Sequence, residues 1–209
     1  MIAVGATLRS GKLLVRIVLV LLGAAIAAFA PPLAAQQYTV TLDPAQTTIE
    51  YTLDSTLHAV HGTFKLKSGE LHFDPSSGQA SGSIIVDATS GDSGNESRDK
   101  KMHRQILESG KYPEMTFTPQ KVGGTFNRQA ASQLEVSGIF QLHGQDHPLT
   151  ATIAVDHPQG ATLHAAVHFT IPYINWGLKS PSTWLLKASD TVAVEISATA
   201  KLPPDQPSN

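Results

Sequence analysis

The chain has 209 residues, with 15 Lys and Arg against 17 Asp and Glu, nine His and no Cys. A formal net charge of −2 gives no bulk electrostatic case for nucleic acid or an anionic membrane. The lack of cysteine excludes disulfides, thiol chemistry, Cys-based metal sites and lipid attachment through an N-terminal Cys.

Arg9, Lys12 and Arg16 precede an unbroken apolar run from Ile17 to Ala30, and small residues and prolines follow as far as Ala34-Ala35. That order of charge, apolar run and small residues is the pattern of an export signal. The apolar run is short for a membrane span, which needs about 20 residues. We expect cleavage after Ala35, a periplasmic or secreted product, and a single domain over 36–202 with enough length to bury a core. The polar, Pro-rich segment 203–209 reads as a disordered tail.

From Tyr38 onward, period-two alternation recurs. Tyr38, Val40 and Leu42 alternate with threonines, Asp43-Pro44 turns the chain, and Ile49, Tyr51 and Leu53 alternate with polar residues. Phe64 and Leu66 form the next strand, Ser68-Gly69 reads as a tight turn, and Leu71 and Phe73 follow. Asp74-Pro75-Ser76-Ser77-Gly78 is a strong turn cluster, leading into a strand over about 80–88. A helix is expected over 96–108, with Ser93 and Glu96 at capping-box spacing, Ser97 as a second cap, and Gly110 and Pro113 ending it.

Strands resume at Met115, Phe117 and Val122, then at 134–142. A hairpin turn at His143-Gly144-Gln145-Asp146 leads to Leu149–Val155. His157-Pro158-Gln159-Gly160 turns into Leu163–Ile171, and Val192–Ala198 is the last strand. About ten short strands and one helix make the chain all-β. A meander of this kind must hide its edges, so an antiparallel barrel is the direct solution and a two-sheet sandwich the alternative.

Gly91-Asp92-Ser93-Gly94 matches the serine segment of chymotrypsin-like proteases, but four residues match often by chance and helix capping uses the same Ser93. His164 and His168 share a strand face, as do His143 and His147 if their turn stays extended, so a three-His zinc site is conceivable. Leu163, Ala165, Val167 and Phe169 claim the inward face, which puts His164 and His168 outside. Arg98, Asp99 and His103 either tie the helix to the sheet or form a polar rim for a ligand head group. Trp176 and Trp184 flank a loop and either plug the barrel end or line an entrance.

Several landmarks occur in a familiar order: Asp43-Pro44, then His58 with Gly62-Thr63-Phe64, and Leu71-His72-Phe73-Asp74-Pro75. Arg98-Asp99 with His103, Lys111-Tyr112-Pro113-Glu114-Met115-Thr116-Phe117, Val136-Ser137-Gly138, Leu142-His143-Gly144 and Asp190-Thr191-Val192 follow. Across about Tyr38 to Ala200 the chain resembles the YceI-like family. It departs at Tyr38, where members often have Trp, and at Ile171–Gly177, which lacks an expected arginine.

The resemblance implies a lipocalin-like antiparallel barrel whose lumen holds a long apolar chain, such as a polyisoprenoid, in a periplasmic or secreted protein without established catalysis. One short helix is expected from the sequence, and no metal or cofactor. Lumen candidates are Tyr51, Leu53, Phe64, Phe73, Phe117, Phe140, Val167, Phe169 and Val194. Rim candidates are His58, Arg98, His103, Tyr112, Trp176 and Trp184. The expected partner is an isoprenoid or other apolar lipid, and no nucleic acid. Membrane-proximal delivery, a delivery protein and a homodimer are left open. The rival readings are a solid-core structural or stress-response module and a His-dependent metallohydrolase.

Overall fold

The computed structural model describes residues 37–156 and 160–202. The expected export signal over 1–35, the tail over 203–209 and most of the His157–Gly160 turn lie outside the described residues. Nine strands are formed: β1 (Tyr38–Leu42), β2 (Thr48–Leu53), β3 (Val60–Phe73), β4 (Ala80–Asp92), β5 (Glu114–Gly124), β6 (Ser132–Leu142), β7 (Gln145–Val155), β8 (Thr162–Ile171) and β9 (Val192–Lys201).

All pairings are antiparallel, running from β2 through β3, β4 and onward to β9, which returns to β2. β1 and β2 share one place in this ring. Tyr51 of β2 stands opposite Gly62 and Val194, whereas Val40 and Leu42 of β1 stand opposite Leu71 and Ala200. The break between them is made at Asp43-Pro44. The Asp43 carboxylate accepts the Ala45 N–H at 2.9 Å and the Gln46 amide at 2.8 Å, capping a single 3₁₀ turn. The nine strands therefore occupy eight positions of a closed barrel, not the two sheets of a sandwich, because β3 and β4 bond each other from Thr63–Asp92 to Phe73–Ala80.

Two strands expected from sequence prove to be one. Ser68-Gly69 is no turn, and β3 runs unbroken for 14 residues. Its register with β4 shifts between Leu66 and Ser68, the mark of a β-bulge. The extra residue leaves Lys67 and Ser68 both exposed and switches the inward set from Phe64 and Leu66 to Gly69, Leu71 and Phe73. A pair of polar residues that reads as a turn is here the place where the strand changes phase.

The helix also differs from expectation. An α-helical segment, α1, covers Glu96–Lys101 and continues as a π-turn over Met102–Ile106. Its N-cap is Asn95, whose side chain accepts the Arg98 N–H at 3.0 Å, and not Ser93 or Ser97. The wider π-turn, closed by the Leu107 N–H on the Met102 carbonyl at 2.9 Å, swings Leu107 to the same side as Met102 and Ile106.

Strand β8 keeps strict alternation. On β8, Leu163, Ala165, Val167, Phe169 and Ile171 point inward, while His164 and His168 are exposed. The hairpin after β6 is tighter than expected, with only His143 (φ 53°) and Gly144 (φ 74°) outside the strands. Pro119 sits within β5, where it cannot donate to the ladder, and the register shifts beside it. Gly138 faces it from β6: a Cβ there would lie 2.2 Å from the Thr118 carbonyl oxygen and 2.8 Å from the Pro119 Cα.

The interior has two ends. Around Val40, Phe73, Leu134, Val155, Leu163, Ala200 and Leu202 it is a compact apolar core, with Tyr38 and Phe126 rings 5.3 and 5.6 Å from that of Phe73. Ile49, Leu66, Met115, Phe140, Leu142, Ile171 and Val194 belong to a second cluster at the helix end.

Because its Cβ would strike the Thr118 carbonyl oxygen and the Pro119 Cα, Gly138→Ala should cost about 1–3 kcal/mol in urea unfolding. Gly110→Ala, where nothing lies within 4 Å of the added carbon, should change stability by less than ~0.5 kcal/mol.

Candidate functional site

At the helix end the barrel is hollow. A cavity of about 550 Å³ is walled by Ile49, Tyr51 and Leu53 of β2, Phe64 of β3, Phe140 and Leu142 of β6, Phe169 and Ile171 of β8, and Val192 and Val194 of β9. These are the inward positions of each strand, so period-two alternation alone aims them there. Met102, Ile106 and Leu107 cover it from the helix, and His58, Pro181 and Leu186 from two loops. Arg98 and Lys101 are its charged lining residues, and no Asp or Glu lines it.

The helix is too short to be stable alone, and its attachment is polar. Ser93 Oγ accepts from Arg98 Nε at 2.7 Å and donates to Asp99 Oδ1 at 2.5 Å. Arg98 Nη2 donates to the Ser93 carbonyl at 2.9 Å, and the Ser93 N–H reaches Asp99 Oδ1 at 3.0 Å. Arg98 thus ties the helix to β4 while also lining the cavity. The Gly91-Asp92-Ser93-Gly94 serine is a structural hub.

His103 makes a second tie, with Nε2 2.9 Å from the Gly91 carbonyl and Nδ1 3.0 Å from the buried Ser109 hydroxyl. A carbonyl can only accept, so Nε2 carries the proton and, in the neutral ring, Nδ1 accepts from Ser109.

Tyr51 shapes the wall. Its ring covers Gly62, where a Cβ would come within 2.5 Å of it, and its centroid is 5.4 Å from that of Phe64. Its hydroxyl donates to Met102 Sδ at 3.6 Å. Burial pushes the phenol pKa upward, with the Asp99 charge adding to the effect. Tyr173, whose hydroxyl donates to the Ser189 carbonyl at 2.7 Å, is pushed up by burial as well.

The mouth is framed by two loops joined through backbone bonds. Thr56 N–H donates to the Lys187 carbonyl and Ser189 N–H to the Asp54 carbonyl, at 2.9 and 2.8 Å. Lys101 Nζ donates to the Pro181 carbonyl at 2.9 Å, connecting the helix to the second loop.

Of the candidates named from sequence, Tyr51, Leu53, His58, Phe64, Arg98, Phe140, Phe169 and Val194 line this one cavity. The others lie elsewhere. Phe73 is in the compact core at the opposite end, and Val167 points inward on β8 opposite Ile196 and Ile153 without lining the cavity. Phe117 packs behind the wall, opposite Phe140 on the neighbouring strand. Tyr112 covers Gly144 at the β6–β7 turn, with its ring 4.5 Å from that of His143.

Trp176 stacks on His147 at 4.2 Å and 4° and approaches Phe140, without lining the cavity. Trp184, 89% exposed, is neither plug nor lining. Ile49, Leu142, Ile171 and Val192 were missed as lining residues although they share the inward phase of the strands that carry them. Leu178 and Leu186 lie in a loop with no periodicity to reveal them. The histidines scatter, and no group of three or more His, Asp or Glu side chains suited to a metal occurs among the described residues.

Fold and site define a hollow single-chain antiparallel barrel with an apolar cavity at one end. The chain belongs to the YceI-like family: the profile of the YceI-like domain matches residues 40–200. The UPF0312 protein VPA0850 of Vibrio parahaemolyticus is 33% identical over 128 residues, covering 59% of this chain and 66% of that protein. A Vibrio campbellii UPF0312 protein is 34% identical over 93 residues, covering 44% of this chain and 47% of its own length. The chain thus spans about half to two thirds of the length of these curated relatives.

Among solved structures, BcnA of Burkholderia cenocepacia superposes with a TM-score of 0.64 at 18% identity, covering 77% of this chain and 99% of BcnA. A polyisoprenoid binding domain from Saccharophagus degradans, implicated in plant cell wall breakdown, gives 0.57 at 15% identity, covering 78% and 98%. At these identities the likeness is one of fold.

The two buried phenols yield a spectroscopic expectation. Of the four tyrosines, Tyr51 and Tyr173 should ionise above the ordinary value near 10, and Tyr51→Phe should remove one late step from an ultraviolet titration. An acid whose folded pKa is raised holds its proton longer folded than unfolded. The stability contributed is therefore full below the unfolded value and is lost as pH rises from about 10 through the folded value. Ionisation of Tyr51 and Tyr173 at the ordinary value would contradict their buried placement.

Proposed function

We propose that this protein is an exported binding protein that holds an isoprenoid or similar apolar lipid in the cavity, for transport, storage or sequestration, and performs no catalysis. The observation that carries this reading is the apolar-lined cavity at the helix end, in a chain with a polyisoprenoid binding domain among its structural neighbours.

About 550 Å³ falls within the ~300–1,000 Å³ usual for ligand pockets. At roughly the ~30 Å³ that a water molecule occupies in the liquid, it has room for on the order of 20 carbon atoms. Each buried methylene contributes about 0.8 kcal/mol before the chain's ordering is subtracted, so an apolar chain of that length binds without an elaborate polar site. A longer chain would leave part of itself at the mouth. There Arg98 and Lys101, with no carboxylate among the lining residues, suit a polar or anionic head group. Export is supported by the order of charge, apolar run and small residues over 1–35. The cavity itself speaks against a solid-core module.

Native mass spectrometry of the purified protein should show a mass adduct that organic extraction identifies as an isoprenoid or related lipid. Val194→Trp, which fills the cavity from its wall, should reduce the adduct at least tenfold while leaving the far-ultraviolet circular dichroism unchanged. A wild-type protein that carries no lipid and takes up no added geranylgeraniol would contradict the proposal.

A further inference from the structure

Three large apolar side chains stand out from the described surface, and all three are at the mouth of the cavity: Leu57 at 69% exposure, Trp184 at 89% and Leu185 at 66%. They belong to the two loops that frame the mouth. Ser55 bridges to Ala188, and Thr56 N–H donates to the Lys187 carbonyl, so Leu57 and the Trp184-Leu185 tip are parts of one joined rim. The second loop doubles back on itself, with the Thr183 N–H on the Leu186 carbonyl at 2.8 Å and the Leu186 N–H on Thr183 Oγ1 at 3.2 Å. This turn holds Trp184 and Leu185 outward while Thr183 and Leu186, on either side of them, line the cavity. One short segment has a ligand-facing side and a solvent-facing side.

The tip loop itself carries charge of one sign. From Gly177 to Ser189 the loop carries Lys179 and Lys187 and no acidic residue. Arg98 and Lys101 stand at the neighbouring mouth, and Lys101 is bonded to the same loop at Pro181. Of the nearby acids, Glu108 is 3.6 Å from Lys179. Asp54 and Asp190 lie at the base of the loops, where their carbonyls accept the Ser189 and Ile174 N–H groups. Asp99 shares the Ser93 hydroxyl with Arg98, so the positive charge that distinguishes the tip is that of the loop itself, in a chain whose net charge is −2.

We propose that the Leu57, Trp184 and Leu185 rim is a docking tip for an anionic lipid bilayer, which presses the cavity mouth against the membrane. Tryptophan favours the boundary between head groups and acyl chains, and flanking lysines favour anionic head groups. A protein partner is the poorer match, since stable protein interfaces engage about 20–30 residues a side and, among the described residues, only these three large apolar side chains are exposed. The proposal rests on the lipid-binding reading, because docking the mouth is useful only if a lipid passes through it.

The test uses the full chain, expressed with its own N-terminal segment and purified in whatever form the cell leaves it. The chain has two tryptophans, so Trp176→Phe leaves Trp184 as the sole reporter, and any quenching seen is local to the tip. With vesicles of phosphatidylglycerol and phosphatidylethanolamine, Trp184 emission should shift to the blue. Brominated acyl chains should quench it at least twofold, and higher salt should weaken the effect. If Trp176→Phe fails to fold, wild type is compared with Trp184→Phe, which should lose the quenching.

In the wild-type background, Leu57→Ser with Leu185→Ser should lower vesicle affinity at least tenfold. Uptake of geranylgeraniol presented on a soluble carrier is measured in parallel and should stay unchanged. Absence of quenching on anionic vesicles would overturn the docking tip, and so would unchanged vesicle affinity in the double variant. A shift in Trp184 emission that follows protein concentration in the absence of lipid would also overturn it, by assigning the tip to a second copy. Failure of geranylgeraniol uptake by the wild type strikes the lipid-binding reading instead, so the two failures are distinguishable.

Discussion

Strand β3 is paired on both edges, with β2 and then β1 along one and β4 along the other, and it must bury apolar residues at both ends of the barrel. A strict period of two cannot do this for the sequence present. Phe64 and Leu66 are in phase with each other, and Leu71 and Phe73 are in the opposite phase. The bulge between Leu66 and Ser68 reconciles them by absorbing one residue. Without it, either Phe64 would leave the cavity wall or Phe73 would leave the compact core, and the register that closes β3 on β4 would be lost. The placement of Phe64 at the cavity and of Phe73 in the far core depends on that phase change.

The closed ring then separates two tasks. One end is filled, with the Phe73, Tyr38 and Phe126 rings packed together, and supplies burial without disulfides in a chain that has no cysteine. The other end is left hollow beneath the helix. Empty apolar volume lowers stability, because the side chains around it lose contacts. The helix end offsets this with polar ties: Ser93 to Arg98 and Asp99, and His103 to Gly91 and Ser109. Polar ties thus hold the cover, while Met102, Ile106 and Leu107 turn apolar side chains to the cavity beside Arg98 and Lys101.

Alternation made the barrel and most of its inner face legible in the sequence, down to the outward placement of His164 and His168. Phase changes were harder to see. Lys67-Ser68-Gly69 has the composition of a turn, and only pairing with β4 reveals a bulge. Capping was misread because Asn95 and Ser93 compete for one role, and Ser93 is drawn instead to Asp99 and Arg98. Chemically similar aromatics also separated by depth: Phe64, Phe140 and Phe169 line the cavity, whereas Phe73 fills the far core. Such depth depends on strand stagger around the ring, which local pattern does not encode. Leu178 and Leu186 were invisible because loops carry no period, and Trp184, equally without one, faces the opposite way.

The central claim is that one end of the barrel is a container and the other is solid. Methyl-labelled nuclear magnetic resonance during titration with geranylgeraniol tests it most directly. The account predicts shifts at Leu53, Ile171, Val192 and Val194, which line the cavity, and none at Leu134, Val155 and Leu163. Equal shifts in both groups, or none in either, would contradict it.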